Sequence, residues 1–348
     1  MLITVFGANG YQAKLVLGEL SRHDVDLRLV GRNAERVDAA AAAVGIVGAD
    51  RRVATAEDHT ALVAALAGSD VVINCAGPFT GSGEAVVRAA IDVGAHYLDT
   101  SGEQLYLKSI FDTFAGAAEH AGVTVLPSAN DGCVPTDLLA QLLAEQAGPF
   151  AEITISHVIT GGGGPSRGSL RSVLATIDAM SMGGLAYDNG HWRTGLPARR
   201  STVTLPDGRS VDVAGLPLCE VITIPRHVQV GYVEGVVEAS LKAALGRPIP
   251  TELIQNLPEG PTELDRNRQR FTYVLDAVDP EGKPTRGVIQ GTDTYGTTAV
   301  VAVEAARRLA AGESKPGVLA PAQAFDATGF LEALSHHGLS WTIDTDMA

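Results

Sequence analysis

Cysteine is scarce: Cys75, Cys133 and Cys219 are the only three in 348 residues. An odd number at wide spacing is no disulfide framework, and no Cys-x-x-Cys pair offers a zinc ligand pattern. A reducing, intracellular setting is the expectation. Clustered positive charge is missing too. The 26 Lys and Arg face 40 Asp and Glu, and a net charge of −14 leaves no basic patch for a phosphate backbone. Nucleic acid is therefore not an expected partner. No apolar run reaches the roughly 18 residues that a membrane span needs. The chain opens on a strand-like run, Leu2 to Phe6, with no basic n-region or cleavage site, so a cytoplasmic protein without a membrane span is expected.

What is present has the profile of a globular enzyme, with 45% hydrophobic and 19% charged residues. The length exceeds what one hydrophobic core usually serves, which favours two domains. Up to about residue 140, short apolar runs alternate with alanine-rich amphipathic stretches, the rhythm of βα units on a parallel sheet. Strands are expected at Leu2–Phe6, Asp26–Val30, Arg52–Thr55, Asp70–Cys75, His96–Asp99 and Val123–Pro127. Helices are expected at Gln12–Ser21, Ala34–Val44, Thr60–Ala67, Ser82–Val93 and Phe111–Ala121. After Pro135 the texture changes. Glu152–Ile159 alternates like a strand, and Ser169–Met182 reads as a helix. Ser201–Val230 reads as hairpin-like around Pro206-Asp207-Gly208, and Phe271–Val278 joins Thr285–Gly291 through Asp279-Pro280-Glu281-Gly282. Helices close the chain near Thr297–Ala311 and Gly329–His336.

The fold class is thus α/β: a Rossmann doubly wound parallel sheet over residues 1–135, then an α+β substrate or dimerisation domain with a mainly antiparallel sheet over 136–295. Residues 296–348 are expected as helices that pack back on the first domain. An antiparallel sheet with an open edge is compatible with a homodimer.

Gly7-Ala8-Asn9-Gly10-Tyr11-Gln12-Ala13 reads as G-x-x-G-x-x-A between a strand and a helix, the setting of a dinucleotide turn. Gly7 permits the tight turn, Gly10 lets the backbone approach a pyrophosphate, and Ala13 lets the helix pack closely on the sheet. Backbone N–H groups at the helix start, aided by its dipole, would face the phosphates. An NAD site usually places Asp or Glu at the end of the second strand; here Leu29-Val30-Gly31-Arg32-Asn33 has no acid. Arg32 offers its fork of donors to a 2′-phosphate, so NADP (NADPH) is the expected cofactor. The bland alternative is a solvated arginine beside a helix start. Asp58 stands where it would either meet the adenine or cap the next helix. Ala76, Gly77, Pro78 and Phe79, after the fourth strand, should border the ribose and nicotinamide.

These segments combine with Asn74–Phe79, His96-Tyr97-Leu98-Asp99-Thr100-Ser101-Gly102-Glu103 and Asp131-Gly132-Cys133-Val134-Pro135-Thr136-Asp137-Leu138. Together with Tyr295-Gly296-Thr297-Thr298-Ala299 and Pro316–Pro321, they resemble the saccharopine dehydrogenase-like family, most closely its trans-acting enoyl reductase branch. The resemblance covers most of residues 1–140 and 285–340. It implies pyridine-nucleotide reduction of an imine, or of a carbon–carbon double bond in that branch. Asn9 stands where the family usually has threonine, and the usual G-Y-T-G segment ends here in Gln12-Ala13. The substrate cannot be carried over from the branch.

Hydride transfer is mostly the cofactor's work, and the protein supplies position, a dry site and often a proton. Candidate catalytic residues are Asp99 and Glu103 after the fifth strand and Asp131 after the sixth. By resemblance, Asp99 matches a cleft-lining aspartate. Helix capping is the competing role for all three. Cys133 has no histidine near it in sequence and reads as a small buried thiol. Tyr97 and His96 are proton-donor candidates, of which a buried strand makes one structural. Gly161–Gly164 before Arg167 and Arg171 is compatible with anion binding but lacks the Lys-Ser/Thr of a P-loop. An opine or amino-acid dehydrogenase would need arginines for substrate carboxylates, for which Arg167, Arg171 and Arg193 are the candidates. A nucleotide-binding scaffold or sensor without turnover is the third reading. His336-His337 has no acidic or cysteine companion, so no metal is expected.

Overall fold

The computed structural model describes residues 1–247 and 250–346, the side chain of Thr251 excepted. In chain order the strands are β1 (Leu2–Phe6), β2 (Asp26–Gly31), β3 (Asp50–Val53), β4 (Val71–Asn74), β5 (His96–Asp99), β6 (Thr124–Leu126), β7 (Phe150–Thr160) and β8 (Leu185–Asp188). They continue as β9 (His191–Thr194), β10 (Thr202–Thr204), β11 (Ser210–Gly215), β12 (Val230–Glu238), β13 (Arg270–Val278), β14 (Pro284–Gly291), β15 (Gly317–Val318) and β16 (Ser340–Asp344).

The first sheet runs β3-β2-β1-β4-β5-β6-β15, and every pairing in it is parallel. That order is doubly wound, and it reverses between β1 and β4, where a crevice forms at the carboxyl ends of the strands. β4 reads Val-Val-Ile-Asn and is buried at every position, as a strand covered by helices on both faces must be. The second sheet runs β10-β11-β12-β7-β13-β14-β16, with β8 and β9 attached to β12. It is antiparallel except where β12 lies parallel to β7.

The helix Cys133–Ala147 joins the two layers. Ten of its residues are buried, from Cys133 through Leu143, and it leads from β6 into β7. One apolar core, including Ile3, Leu17, Leu138, Ile155, Phe271 and Leu331, runs from the first sheet into the second. The helix Thr294–Ala310 returns to lie against the helix Tyr11–Leu20 and against β4 and β5. The last segment is not purely helical: β15 extends the first sheet beyond β6, and β16 closes the second beside β14. Residues 347–348 of the expected C-terminal unit lie outside the described ones.

Several boundaries moved for local reasons. The helix expected from Ser82 begins at Phe79, because the Glu103 carboxylate accepts from Phe79 N and Thr80 N. The helix expected from Phe111 begins at Gln104. The single helix expected over Ser169–Met182 breaks at Thr176 into Arg167–Ala175 and Ile177–Ser181, with the Thr176 hydroxyl bonded back to Ser172 O at 2.8 Å. The hairpin around Asp207 ends at Gly215, and residues up to 230 instead form a short helix that leads into β12.

Candidate functional site

A cavity of about 1000 Å³ opens at the carboxyl ends of the first sheet and is closed on its far side by the second. Phe6 and Gly7 line it after β1, Gly31 and Arg32 after β2, Cys75–Phe79 after β4, and Asn130–Cys133 after β6. His157 of β7, Tyr273 of β13 and Glu220 form the opposite wall.

The glycine turn has the geometry a dinucleotide requires. Gly7 sits at φ +76°, and a Cβ there would lie 2.8 Å from the Cβ of Ala76. Its N–H donates to Val30 O, and its carbonyl accepts from Gly10 N, which closes the turn. The helix Tyr11–Leu20 then starts with no side-chain cap and no acid in its first turn, so its N-terminal amides and dipole are left for an anion. Arg32 and Arg36 both reach the cavity rim, and neither forms an ion pair among the described residues. The site therefore fits a dinucleotide carrying an extra phosphate.

Other members of the expected cofactor set do different work. Ala8 is wholly buried with its N–H bonded to Val30 O, and it does not line the cavity. Asn33 caps the helix Ala34–Ala43 by accepting from Arg36 N, and Asp58 caps His59–Leu66 by accepting from Ala61 N. Both polar side chains are spent on helix ends, and the rim beyond β3 is built from Thr55, Ala56 and Glu57 instead. Tyr11 and Gln12 line the cavity, but their polar atoms tie the two layers together. Tyr11 donates to Pro261 O at 2.6 Å and Gln12 to Tyr295 O at 3.0 Å.

The three carboxylates separate equally clearly. Asp99 is fully buried and does not line the cavity. Its Oδ1 accepts from Ser101 N and Ser128 N, and its Oδ2 from the hydroxyls of Tyr97 and Tyr106. Burial pushes it up to about 6 against those four donors, and it braces the loops after β5 and β6. Glu103 reaches the cavity, but it accepts from Phe79 N, Thr80 N and the hydroxyls of Thr80 and Ser172. It fixes the loop after β4. Asp131 alone of the three faces the opposite wall. It accepts from the hydroxyls of Tyr273 and Thr298, and burial raises its carboxyl despite those bonds.

The role of Asp99 is testable by substitution. In Asp99→Asn the Oδ1 acceptor survives for the two fixed amides, while both phenol hydroxyls can turn to accept. Asp99→Ala strands two buried N–H groups at about 1–3 kcal/mol each. Chemical denaturation is expected to show Asn close to wild type and Ala several kcal/mol weaker. An Asn variant of unchanged stability that loses catalysis would instead make Asp99 chemical.

Sequence reasoning missed His157, Glu220, Tyr273 and Arg36. None sits in a motif, since each is brought in by strand pairing or by the first turn of a helix; only the alternation of β7 and β13 hinted at inward-facing polar positions. Cys133 is buried and its thiol is pushed well up by that burial, as a structural cysteine should be. Arg193 pairs with Asp188 and does not line the cavity. Arg167 lines it but faces Glu259 at 3.6 Å, which leaves Arg171 without an ion-pair partner among the described residues. No cluster of metal-ligating side chains and no helix long and apolar enough to cross a membrane occurs among the described residues.

A doubly wound sheet, an uncapped helix behind a glycine turn and a cavity shared with a second sheet define a two-layer fold suited to holding a dinucleotide. Residues 3–126 match the family model of the saccharopine dehydrogenase NADP binding domain. The N-terminal domain is similar to that domain, and the match supports NADP(H) as its nucleotide. A trans-acting enoyl reductase of Mycobacterium tuberculosis is 29% identical over 140 residues, 39% of this chain and 34% of its own. A human saccharopine dehydrogenase-like oxidoreductase is 29% identical over 157 residues, 39% of this chain and 35% of its own. The matches span less than half the length of these curated relatives. The structure of a saccharopine dehydrogenase (L-Glu forming) from Saccharomyces cerevisiae superposes with a TM-score of 0.65 over 99% of both chains, at 13% identity, a likeness of fold.

Proposed function

We propose that the protein is an NADP-dependent reductase that saturates a C=C or C=N bond of a small or carrier-linked compound. The observation that carries this reading is the continuity of one cavity, from the glycine turn and Arg32 to the Asp131–Tyr273 pair. In this reading residues 1–135 hold the nucleotide, 136–295 hold the substrate, and the segment from 296 returns to brace the first domain.

The bound nucleotide supplies a hydride. The chain's own residues do the rest. The amides of the Gly7–Gly10 turn and the following helix hold the pyrophosphate, and Arg32 with Arg36 holds the 2′-phosphate. Glu103 fixes Phe79 and Thr80, so that the Cys75–Phe79 loop presents a rigid floor beside the reacting carbon. Tyr273 and Asp131 place an exchangeable proton on the wall opposite. Burial raises both groups, which makes the proton available only to a strong base generated in the site.

A dehydrogenase of opine type finds less support, because of its three candidate arginines only Arg171 lines the cavity unpaired. The test is NADPH consumption with a small α,β-unsaturated thioester and with a cyclic imine, followed by nicotinamide absorbance. One of them should be reduced, and Tyr273→Phe should slow that reduction about 10²-fold at unchanged NADPH affinity. Consumption with neither compound, while NADPH still raises the melting temperature, would leave a nucleotide-binding scaffold.

A further inference from the structure

Residues 163–182 carry the two short helices Arg167–Ala175 and Ile177–Ser181, which lie along the shared cavity between two glycine pairs. Gly161 and Gly162 before them sit at φ +64° and +71°, and Gly183 and Gly184 after them at +81° each. Backbone in that region turns without side-chain resistance, so the segment is jointed at both ends. The joints themselves are anchored. A Cβ on Gly161 would meet Arg268 O at 2.7 Å, and one on Gly184 would meet Pro217 at 2.5 Å. Between the joints little is packed: among the described residues, Leu170 and Ala179 alone are buried in the two helices. A helix without a broad buried apolar stripe is held weakly by packing, and lifting it exposes little. The Cys133–Ala147 helix, with ten buried residues, is the contrast.

What holds the segment down is polar. At its start the Tyr295 hydroxyl accepts from Ser166 N at 2.7 Å and lies 2.9 Å from Ser169 Oγ. Arg167 N donates to Glu259 O at 3.0 Å. In the middle, Ser172 Oγ donates to Glu103 Oε1 at 2.6 Å. Each of these partners reaches the glycine turn's helix or the loop after β4. Tyr295 stands edge-on to Tyr11, the first residue of the helix behind the turn, with ring centroids 5.2 Å apart. Glu259 pairs with Lys14 of that helix at 2.5 Å. Glu103 holds the amides of Phe79 and Thr80. The turn, the loop and the two helices line one cavity, so a nucleotide lying along the first two is covered by the third.

We infer that residues 163–182 are a lid over the nucleotide, latched by Glu103 and Tyr295, which unlatches for NADPH to enter and for NADP+ to leave. The inference rests on the nucleotide reading of the glycine turn and gives that site its gate. The latch is made of hydrogen bonds whose partners can turn to water, so each contributes little net stability, and the glycine pairs absorb the rotation of the segment. Glu103 serves lid and loop with one carboxylate. When Ser172 lifts away, the bonds to Phe79 N and Thr80 N remain, and the loop keeps its shape while the lid opens. The latch bonds run from protein to protein and form with or without the nucleotide. A contact that favours the free and the bound protein equally leaves affinity unchanged, so the latch sets the rates of exchange instead.

The test uses the full chain and follows NADPH entry and release by nicotinamide fluorescence in stopped flow, with excess NADP+ displacing the bound nucleotide. Ser172→Ala and Tyr295→Phe each delete one latch bond. Each should speed entry and release alike, about fivefold, the worth of one ordinary hydrogen bond, at unchanged equilibrium affinity. A residue that only braced the bound nucleotide would speed release alone. A lock tests the converse. A Cβ on Gly77 would lie 3.2 Å from Ser172 Oγ, so a cysteine pair can bridge lid and loop. Gly77→Cys with Ser172→Cys, in a Cys75→Ala background, is oxidised by diamide, which takes the electron pair and both protons from the two thiols. With the cross-link verified by mass, the oxidised protein should retain preloaded NADPH at least about tenfold longer than the same protein reduced. Oxidised empty, it should admit NADPH at least about tenfold more slowly, and dithiothreitol should restore both rates. Melting temperatures verify that each variant is folded. Equal exchange rates in the oxidised and reduced forms, or latch variants that speed release but not entry, would overturn the inference. Failure of the nucleotide reading looks different: NADPH would bind no form of the protein and raise no melting temperature, which removes the lid's cargo as well.

Discussion

Replacing Gly7 with alanine is expected to abolish NADPH binding and to lower the melting temperature of the free protein. The new methyl would sit at φ +76°, a region in which a non-glycine residue costs about 1–3 kcal/mol. It would also meet Ala76 Cβ at 2.8 Å and the Ala76 backbone at 3.0 Å. The turn can relieve both only by moving away from β4, which drags the amides at the start of the Tyr11–Leu20 helix out of line. In the proposed reading those amides hold the pyrophosphate, so the loss in affinity should exceed about 10³-fold, the equivalent of about 4 kcal/mol. Two measurements check this: a thermal scan without ligand, and the same scan with saturating NADPH. The native protein should gain stability from the nucleotide by mass action, and the variant should gain none. Adding Ala76→Gly should recover part of the unliganded stability, because it removes the nearest contact but not the backbone strain. A Gly7→Ala protein that NADPH still stabilises fully would move the nucleotide away from this turn.

The second large effect concerns cofactor choice. Arg32, just before the helix cap Asn33, and Arg36, in the first turn of that helix, stand on the cavity rim, and neither forms an ion pair among the described residues. Each charged hydrogen bond to a 2′-phosphate is worth about 1.5–3 kcal/mol, so Arg32→Ala with Arg36→Ala should weaken NADPH about 10³-fold. NADH, which has no phosphate there, should be affected less than about threefold. The single variants should each show a smaller loss, and salt should weaken NADPH binding to the native chain more than to the double variant. Isothermal titration with both nucleotides decides the matter. Equal losses for NADPH and NADH would mean that the arginines hold the fold of the rim rather than the phosphate.

Much of the first domain was legible because its signals are local. A buried parallel strand must be apolar throughout, so Val71–Asn74 declares itself; a glycine turn between strand and helix declares the nucleotide site. Arg32, which lines the cavity, is proposed for the 2′-phosphate because it stands at the end of the second strand. Element ends were less legible. The helix after β4 begins at Phe79 because Glu103, 24 residues away, accepts its first amides, and no local pattern encodes that. The same long-range bond turned a catalytic candidate into a brace. Asp58 and Asn33 show the converse, where the local capping rule was sufficient.

The sequence by itself determined the doubly wound first domain, the glycine turn, the preference for a phosphorylated nucleotide and the antiparallel character of the Phe271–Gly291 hairpin. All of these depend on periodicity and on residues within a few positions of one another. Only the tertiary structure decided that Glu103 and Asp131 reach the cavity while Asp99 does not, and that Asp131 meets Tyr273 while His157 meets Glu220. Those pairs span 142 and 63 residues of chain, set by the register of β7 on β13 and by the packing of the Cys133–Ala147 helix between two sheets. Register and packing depend on every strand at once, and no short stretch of sequence carries them.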